Sequence, residues 1–284
     1  MSAEVSQAHA GQQDGQQIAL DGVSLWARVT GHGRPVVLLH GVTANAYVWD
    51  AVAERLAESL RVIAVDQRGH GRTGPAADGD YTAAAFASDV TGLANVLGEP
   101  VIVAGHSLGS RNAIEAAARY PAAVAGIAAI DFTPFIEPAV LEGVRDRVAG
   151  GHRSFADLNE VRAYLRERYP LLPPEAIERR ARYGYHQAAA GEYRPLADPE
   201  AMLLATAGLT EDLAPALSSM TVPAVLVRGG ESTLVSPEAW RRTRELRADL
   251  PAVEIAGADH YVPEERPDDV ADIILGLAGR IERS

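Results

Sequence analysis

The chain contains no cysteine. Disulfides and thiolate chemistry are therefore excluded, which fits a cytoplasmic protein. Lysine is absent too, since all 26 basic residues are arginine. A Schiff base and a lysine general base are excluded with it. Positive charge is scarce: 26 basic residues face 38 acidic ones, for a net charge of −12. That balance speaks against nucleic acid and anionic membrane as partners. No apolar run reaches the ~18 residues of a membrane span. Residues 1–17 are polar and lack the basic start and apolar block of a signal peptide, so they read as a disordered tail. No Gly-x-Gly-x-x-G follows a strand, and no set of His, Asp and Glu has ligand spacing. Neither a nucleotide cofactor nor a metal is expected.

What is present suits one α/β domain with an insertion, and a hydrophobic content of 47% over 284 residues is enough for a full core. Apolar runs at 23–29, 35–40, 61–66, 101–104, 124–130, 223–228 and 252–255 read as strands. Helical spacing separates them at 50–59, 82–97, after Ser107, and at 268–281. Strands apolar throughout and alternating with helices imply a mostly parallel sheet covered by helices on both faces. Residues 132–216 break the pattern. They are proline-punctuated, helical in spacing and without strand runs. Inserted between two sheet strands, they are expected to form a helical cap over the ligand-binding edge, with 18–131 and 217–284 as the core.

The densest signal is Gly105-His106-Ser107-Leu108-Gly109, between the strand run at 101–104 and an alanine-rich helical segment. Strand, Gly-x-Ser-x-Gly, helix is the context of a nucleophile elbow. The glycines keep side chains away from a turn whose serine is backbone-strained. A serine nucleophile needs a base, and the base an acid. His260, in Gly257-Ala-Asp-His-Tyr261, follows the last strand and precedes the last helix, where the base belongs. The loop after 223–228 usually carries the acid as Gly-x-x-Asp, yet here Ser232 fills that place, with Glu231 one residue out of register. Asp131 ends the preceding strand, where an unpartnered carboxylate would be costly. Asp131 is therefore the expected acid, Glu231 the alternative, and Asp259 is set aside because it adjoins His260. Backbone N–H groups of Val42, after His40-Gly41, and of Leu108 are the expected oxyanion donors.

These motifs, with Asp66-Gln-Arg-Gly-His-Gly71, resemble the α/β-hydrolase family. The resemblance implies the α/β-hydrolase fold. Closer stretches go further: Ala129-Ile-Asp-Phe-Thr-Pro-Phe-Ile-Glu137, Tyr164-Leu-Arg-Glu-Arg-Tyr-Pro170, Val227-Arg-Gly-Gly-Glu-Ser232 and Gly257-Ala-Asp-His-Tyr-Val262. They resemble the bacterial 2-(acetamidomethylene)succinate hydrolases of vitamin B6 breakdown, from about Val23 to the C-terminus. That resemblance implies hydrolysis of an enamide, with release of acetate, ammonia, carbon dioxide and succinate semialdehyde. It also implies a dicarboxylate held by Arg147 and Arg168, assisted by Tyr169, Ser232 and Tyr261. Arginine suits the task because its planar fork binds carboxylates in bidentate fashion. Gly230 and the stretch Thr43-Ala-Asn-Ala46 depart from that family and leave room for a related substrate. A carboxylesterase or lactonase, a carbon–carbon bond hydrolase and a non-enzymatic small-molecule receptor are the competing readings. Turnover of neutral esters, or tight binding without turnover, would mark the first and the last.

Overall fold

The computed structural model describes residues 15–283. Most of the expected tail, residues 1–14, lies outside the described residues. Gln16 and Gln17 do not belong to a tail: they open strand β1, Gln16–Ala19. This edge strand buries only Ile18, so a polar sequence suffices for it.

An eight-stranded sheet forms the centre. After β1 come β2 (Ser24–Thr30), β3 (Pro35–Leu39), β4 (Arg61–Val65), β5 (Val101–His106) and β6 (Val124–Ile130). Strands β7 (Tyr185–Gln187) and β8 (Tyr193–Pro195) form a separate hairpin, and β9 (Ala224–Gly229) and β10 (Ala252–Ile255) complete the sheet. The order across it is β1-β2-β4-β3-β5-β6-β9-β10. Only β1–β2 and β2–β4 pair antiparallel; from β4 to β10 the sheet is parallel. Alternate residues explain the unbroken apolar runs. Val37, Leu39, Ile63 and Val103 face one core, while Val36, Leu38, Ala64 and Ile102 face the other.

Helices α1 (Asp50–Leu56), α2 (Ala83–Leu97) and α3 (Leu108–Arg119) follow β3, β4 and β5. The segment between β6 and β9 holds α4 (Pro138–Gly151), α5 (Leu158–Arg168), α6 (Pro174–Tyr183), α7 (Pro199–Gly208) and α8 (Ala214–Ser219). Then come α9 (Pro237–Leu246), α10 (Val262–Glu265) and α11 (Pro267–Glu282). Side chains of α2, α3, α8 and α9 fill the first core, and those of α1 and α11 the second. Helices α5 and α6 share a third, smaller core around Phe155, Val161, Leu165 and Ile177. The hairpin β7–β8 corrects the expectation that 132–216 holds no strand. Its three-residue strands are too short and too polar to show alternation, and Phe155 extends them through a bridge to Tyr193.

Strand β3 lies between β4 and β5, so successive crossovers leave it in opposite directions. The crevice beyond the carboxyl ends of β3 and β5 is the place where parallel sheets of this kind bind ligands.

Candidate active site

Ser107 stands at that crevice with φ 54° and ψ −117°, a conformation side chains resist. Packing forces it there. A Cβ on Gly105 would lie 2.1 Å from the Gly109 carbonyl, and one on Gly109 would lie 2.1 Å from the Leu39 carbonyl. Both glycines are thus required by the approach of α3 to β3 and β5. The Ser107 N–H donates to the Ile130 carbonyl at 2.9 Å. Buried Ser110 accepts the Ile130 N–H at 2.7 Å, tying the turn to the end of β6.

Asp131 follows β6 at once, is fully buried and holds φ at 52°. Its carboxylate is surrounded by donors. Oδ1 accepts the Gly229 N–H at 2.9 Å, and Oδ2 accepts the Ser232 hydroxyl at 2.6 Å and His260 Nδ1 at 2.7 Å. His260 Nδ1 thereby carries the proton, which leaves Nε2 as the basic nitrogen. Glu231 is exposed and makes no hydrogen bond to this group. Asp259 turns away and accepts the Thr233 N–H at 2.8 Å. Ser232, expected to touch substrate, is instead 8% exposed and spends its hydroxyl on Asp131 while accepting the Val235 N–H at 3.0 Å. His106 donates from Nε2 to the His260 carbonyl at 2.7 Å and lies 4.7 Å from the His260 ring. Burial, and then the neighbouring His260, push its pKa well below the usual imidazole range. A neutral His106 therefore buttresses the loop without competing for the proton.

Val42 and Leu108 flank Ser107 as expected for oxyanion donors. Among the described residues neither backbone N–H has a hydrogen-bond partner. Thr43 beside them has φ 64°, a strained position that the sequence reading did not identify. Thr43, Ser107 and Asp131 are the positive-φ residues other than glycine among the described residues, and all three surround the crevice. The motif Asp66–Gly71 supports this loop from behind. Asp66 accepts the N–H groups of Ala46 and Arg72, both at 2.7 Å. Gln67 donates its side-chain amide to the His40 carbonyl at 2.6 Å and accepts from Asn112 of α3 at 2.8 Å.

Ser107, His260 and Val42 line one small cavity between sheet and helices. Arg147, Arg168, Tyr169 and Tyr261 line it too. Of the expected site residues, Asp131, Leu108 and Ser232 do not line this cavity; all three are buried beside residues that do. Arg168 donates to the Tyr169 hydroxyl, the Tyr164 hydroxyl and the Arg147 carbonyl, each at 3.0 Å. All three acceptors are neutral. The Arg147 guanidinium makes no hydrogen bond or ion pair among the described residues. Arg180 also faces the cavity, though sequence reasoning passed it over. It pairs with Glu264 of α10 and lies 4.5 Å from the Tyr169 ring and 4.8 Å from the Tyr261 ring. The arrangement can activate a hydroxyl, stabilise an oxyanion and hold an anionic ligand against uncompensated cations. Among the described residues no three His, Cys, Asp or Glu side chains come together as a metal site, and no helix is long and apolar enough to cross a membrane.

A profile of the alpha/beta hydrolase family matches residues 36–273. The 2-(acetamidomethylene)succinate hydrolase of Mesorhizobium japonicum is 42% identical over 269 residues, 94% of this chain and 95% of that protein. N-formylmaleamate deformylase of Pseudomonas putida is 25% identical over 253 residues, 84% of this chain and 86% of that protein. A crystal structure of E-2-(acetamidomethylene)succinate hydrolase superposes with a TM-score of 0.90 at 41% identity, covering 93% of this chain and 98% of that one.

Proposed function

The chain belongs to the alpha/beta hydrolase family, and from that premise we propose that it hydrolyses the enamide bond of (E)-2-(acetamidomethylene)succinate. Residues 132–216 serve as the cap. Ser107 is the nucleophile, His260 the base and Asp131 the acid that orients it. His260 Nε2 takes the Ser107 proton as the oxygen attacks the acetyl carbonyl. The Val42 and Leu108 N–H groups receive the developing oxyanion, a contribution worth several kcal/mol in such sites (about 3 per donor). Collapse breaks the C–N bond, and His260 returns the proton to the departing nitrogen. Water, activated by the same histidine, then releases acetate from Ser107. The freed aminomethylene-succinate tautomerises to an imine, and a second water releases ammonia. The resulting 2-formylsuccinate, a β-oxo acid, loses carbon dioxide to leave succinate semialdehyde.

One observation carries the substrate class: the cavity beside Ser107 holds Arg147 without a partner and Arg168 bonded only to neutral oxygens. Arg147 is exposed and Arg168 half-buried, so water solvates both when no ligand is bound, and two guanidiniums without a carboxylate partner suit a dicarboxylate. The two relatives' names support an N-acyl substrate bearing carboxylate: one is named for an acetamido-bearing succinate, the other for an N-formyl amide with a single carboxylate. The test is acetate and ammonia release by the purified chain, with Ser107→Ala and Arg168→Ala in parallel. Both products are expected from the unaltered chain and neither from Ser107→Ala. Arg168→Ala should raise KM about tenfold or more, the worth of lost charge-assisted hydrogen bonds, and should affect p-nitrophenyl acetate less. Product release that survives Ser107→Ala would refute the mechanism.

A further inference from the structure

The catalytic cavity has two unlike ends, defined by the walls it shares with its neighbours. At one end it shares Thr43, Ala44, Val148, Arg168, Tyr169 and Arg180 with a chamber that continues to Tyr164 and Tyr185. At the other it shares Phe132 and Leu209 with an open groove. Chamber and groove have no residue in common. One end is therefore cationic and aromatic, and the other is apolar. Phe132 and Leu209 are each only 6% exposed, yet both face empty space on two sides. They form a thin partition. Beyond it the groove is mixed, with Ile136, Leu141 and Leu213 as further apolar surface and Glu142, Arg145, Glu211 and Asp212 as charged surface.

We propose that Leu209, backed by Phe132, sets the length of the acyl group that the site accepts. The inference rests on the substrate reading above. With the acyl carbonyl at Ser107 and the carboxylates at the arginine end, the acyl substituent is left the apolar end. An acetyl methyl fits against the partition there, and a longer chain meets Leu209. Removing that side chain joins the cavity to the groove and gives the longer chain a path along its apolar residues. Leu209 is the position to vary because Phe132 adjoins Asp131.

The experiment compares kcat/KM on aminomethylene-succinate carrying N-acetyl, N-butanoyl or N-hexanoyl groups, and on p-nitrophenyl esters of the same acids. The unaltered chain should favour acetyl. Leu209→Ala should raise the butanoyl-to-acetyl ratio at least about tenfold in both series, the scale on which a pocket discriminates by a methylene or two. Leu209→Phe should lower the ratio, and it carries the test should the alanine variant fail to fold. Unchanged ratios in folded variants would overturn the proposal. So would a rise produced by Tyr185→Ala and not by Leu209→Ala, which would place the acyl chain in the opposite chamber. Ester hydrolysis without cleavage of any N-acyl skeleton would refute the enamide reading instead, and the ester ratios would still judge the partition.

Discussion

Ser232 stands where a Gly-x-x-Asp loop would supply the acid, and its hydroxyl is given to Asp131, the acid proposed above. Its lone pairs are also engaged, by the N–H groups of Val235 and Leu234. Nothing of it remains for substrate. A hydrogen bond to a buried carboxylate contributes about 1.5–3 kcal/mol, and here it holds Asp131 Oδ2 toward His260. Ser232→Ala should therefore lower kcat about tenfold with KM unchanged, because the interaction is spent on the base and not on the bound ligand. A rise in KM at constant kcat would instead mark the substrate contact expected from the sequence. Ser107, His260 and Asp131 were readable because a local motif, chain order and the cost of a lone strand-end carboxylate each point to one residue. The partner of Ser232 was not, because it lies 101 positions away. The same holds for Thr43, whose positive φ has no glycine to announce it.

Among the elements, the contact that matters most to the site joins α6 to the loop bearing His260. Arg180 leaves α6, packs against the touching rings of Tyr169 and Tyr261, and pairs with Glu264 of α10. Glu264 is only 3% exposed. α10 begins two residues after His260, so α6 and the His260 loop share one anchor. Breaking a buried pair from one side leaves the other charge without compensation, at a cost of about 3–5 kcal/mol. Glu264→Gln should lower the melting temperature and kcat together, and should raise amide hydrogen exchange in α6 before it does so in the sheet. Unchanged exchange in α6 would show that the anchor lies elsewhere. The central strands were legible because strands buried on both faces are apolar at every position. The hairpin β7–β8 and strand β1 were not, since each buries little and alternates over too few residues. Arg180 was hidden for a related reason: composition cannot distinguish an arginine on a solvated face from one buried against two tyrosines.

At the scale of the whole molecule, three buried imidazoles set the response to acid. His40, His70 and His106 lie between 0% and 4% exposed. Burial lowers all three: His70 to about 4, and His40 and His106 well below the usual range, with charge on a neighbouring histidine adding to the effect in both. Each is fixed as a neutral tautomer; His40, for example, donates from Nδ1 to the Gly41 carbonyl at 2.8 Å and accepts the Gln67 N–H at Nε2. Above pH ~6.5 folded and unfolded chains hold these groups alike. As pH falls below that, the unfolded chain takes up protons that the folded chain refuses, so stability is lost. Buried Asp66, pushed up to about 6, acts in the opposite sense. It binds a proton first in the folded state and adds stability as pH falls. The His70 and Asp66 displacements are both near ~2 pH units, roughly 3 kcal/mol each at full titration, so they nearly cancel. His40 and His106 are left over on the destabilising side, and Asp89 and Glu265, also raised by burial, stand with Asp66 on the other. Surface carboxylates on a chain of charge −12 blur the absolute curve, so the decisive quantity is a difference. His70→Asn keeps a donor for the Arg68 carbonyl that His70 Nδ1 reaches at 2.9 Å and removes the proton site. From pH 7 to 4.5 the unaltered chain should lose melting temperature relative to the Asn variant, most clearly below pH 6. Parallel melting curves across that window would mean that His70 takes up its proton in the folded state, and that the imidazoles do not govern acid stability.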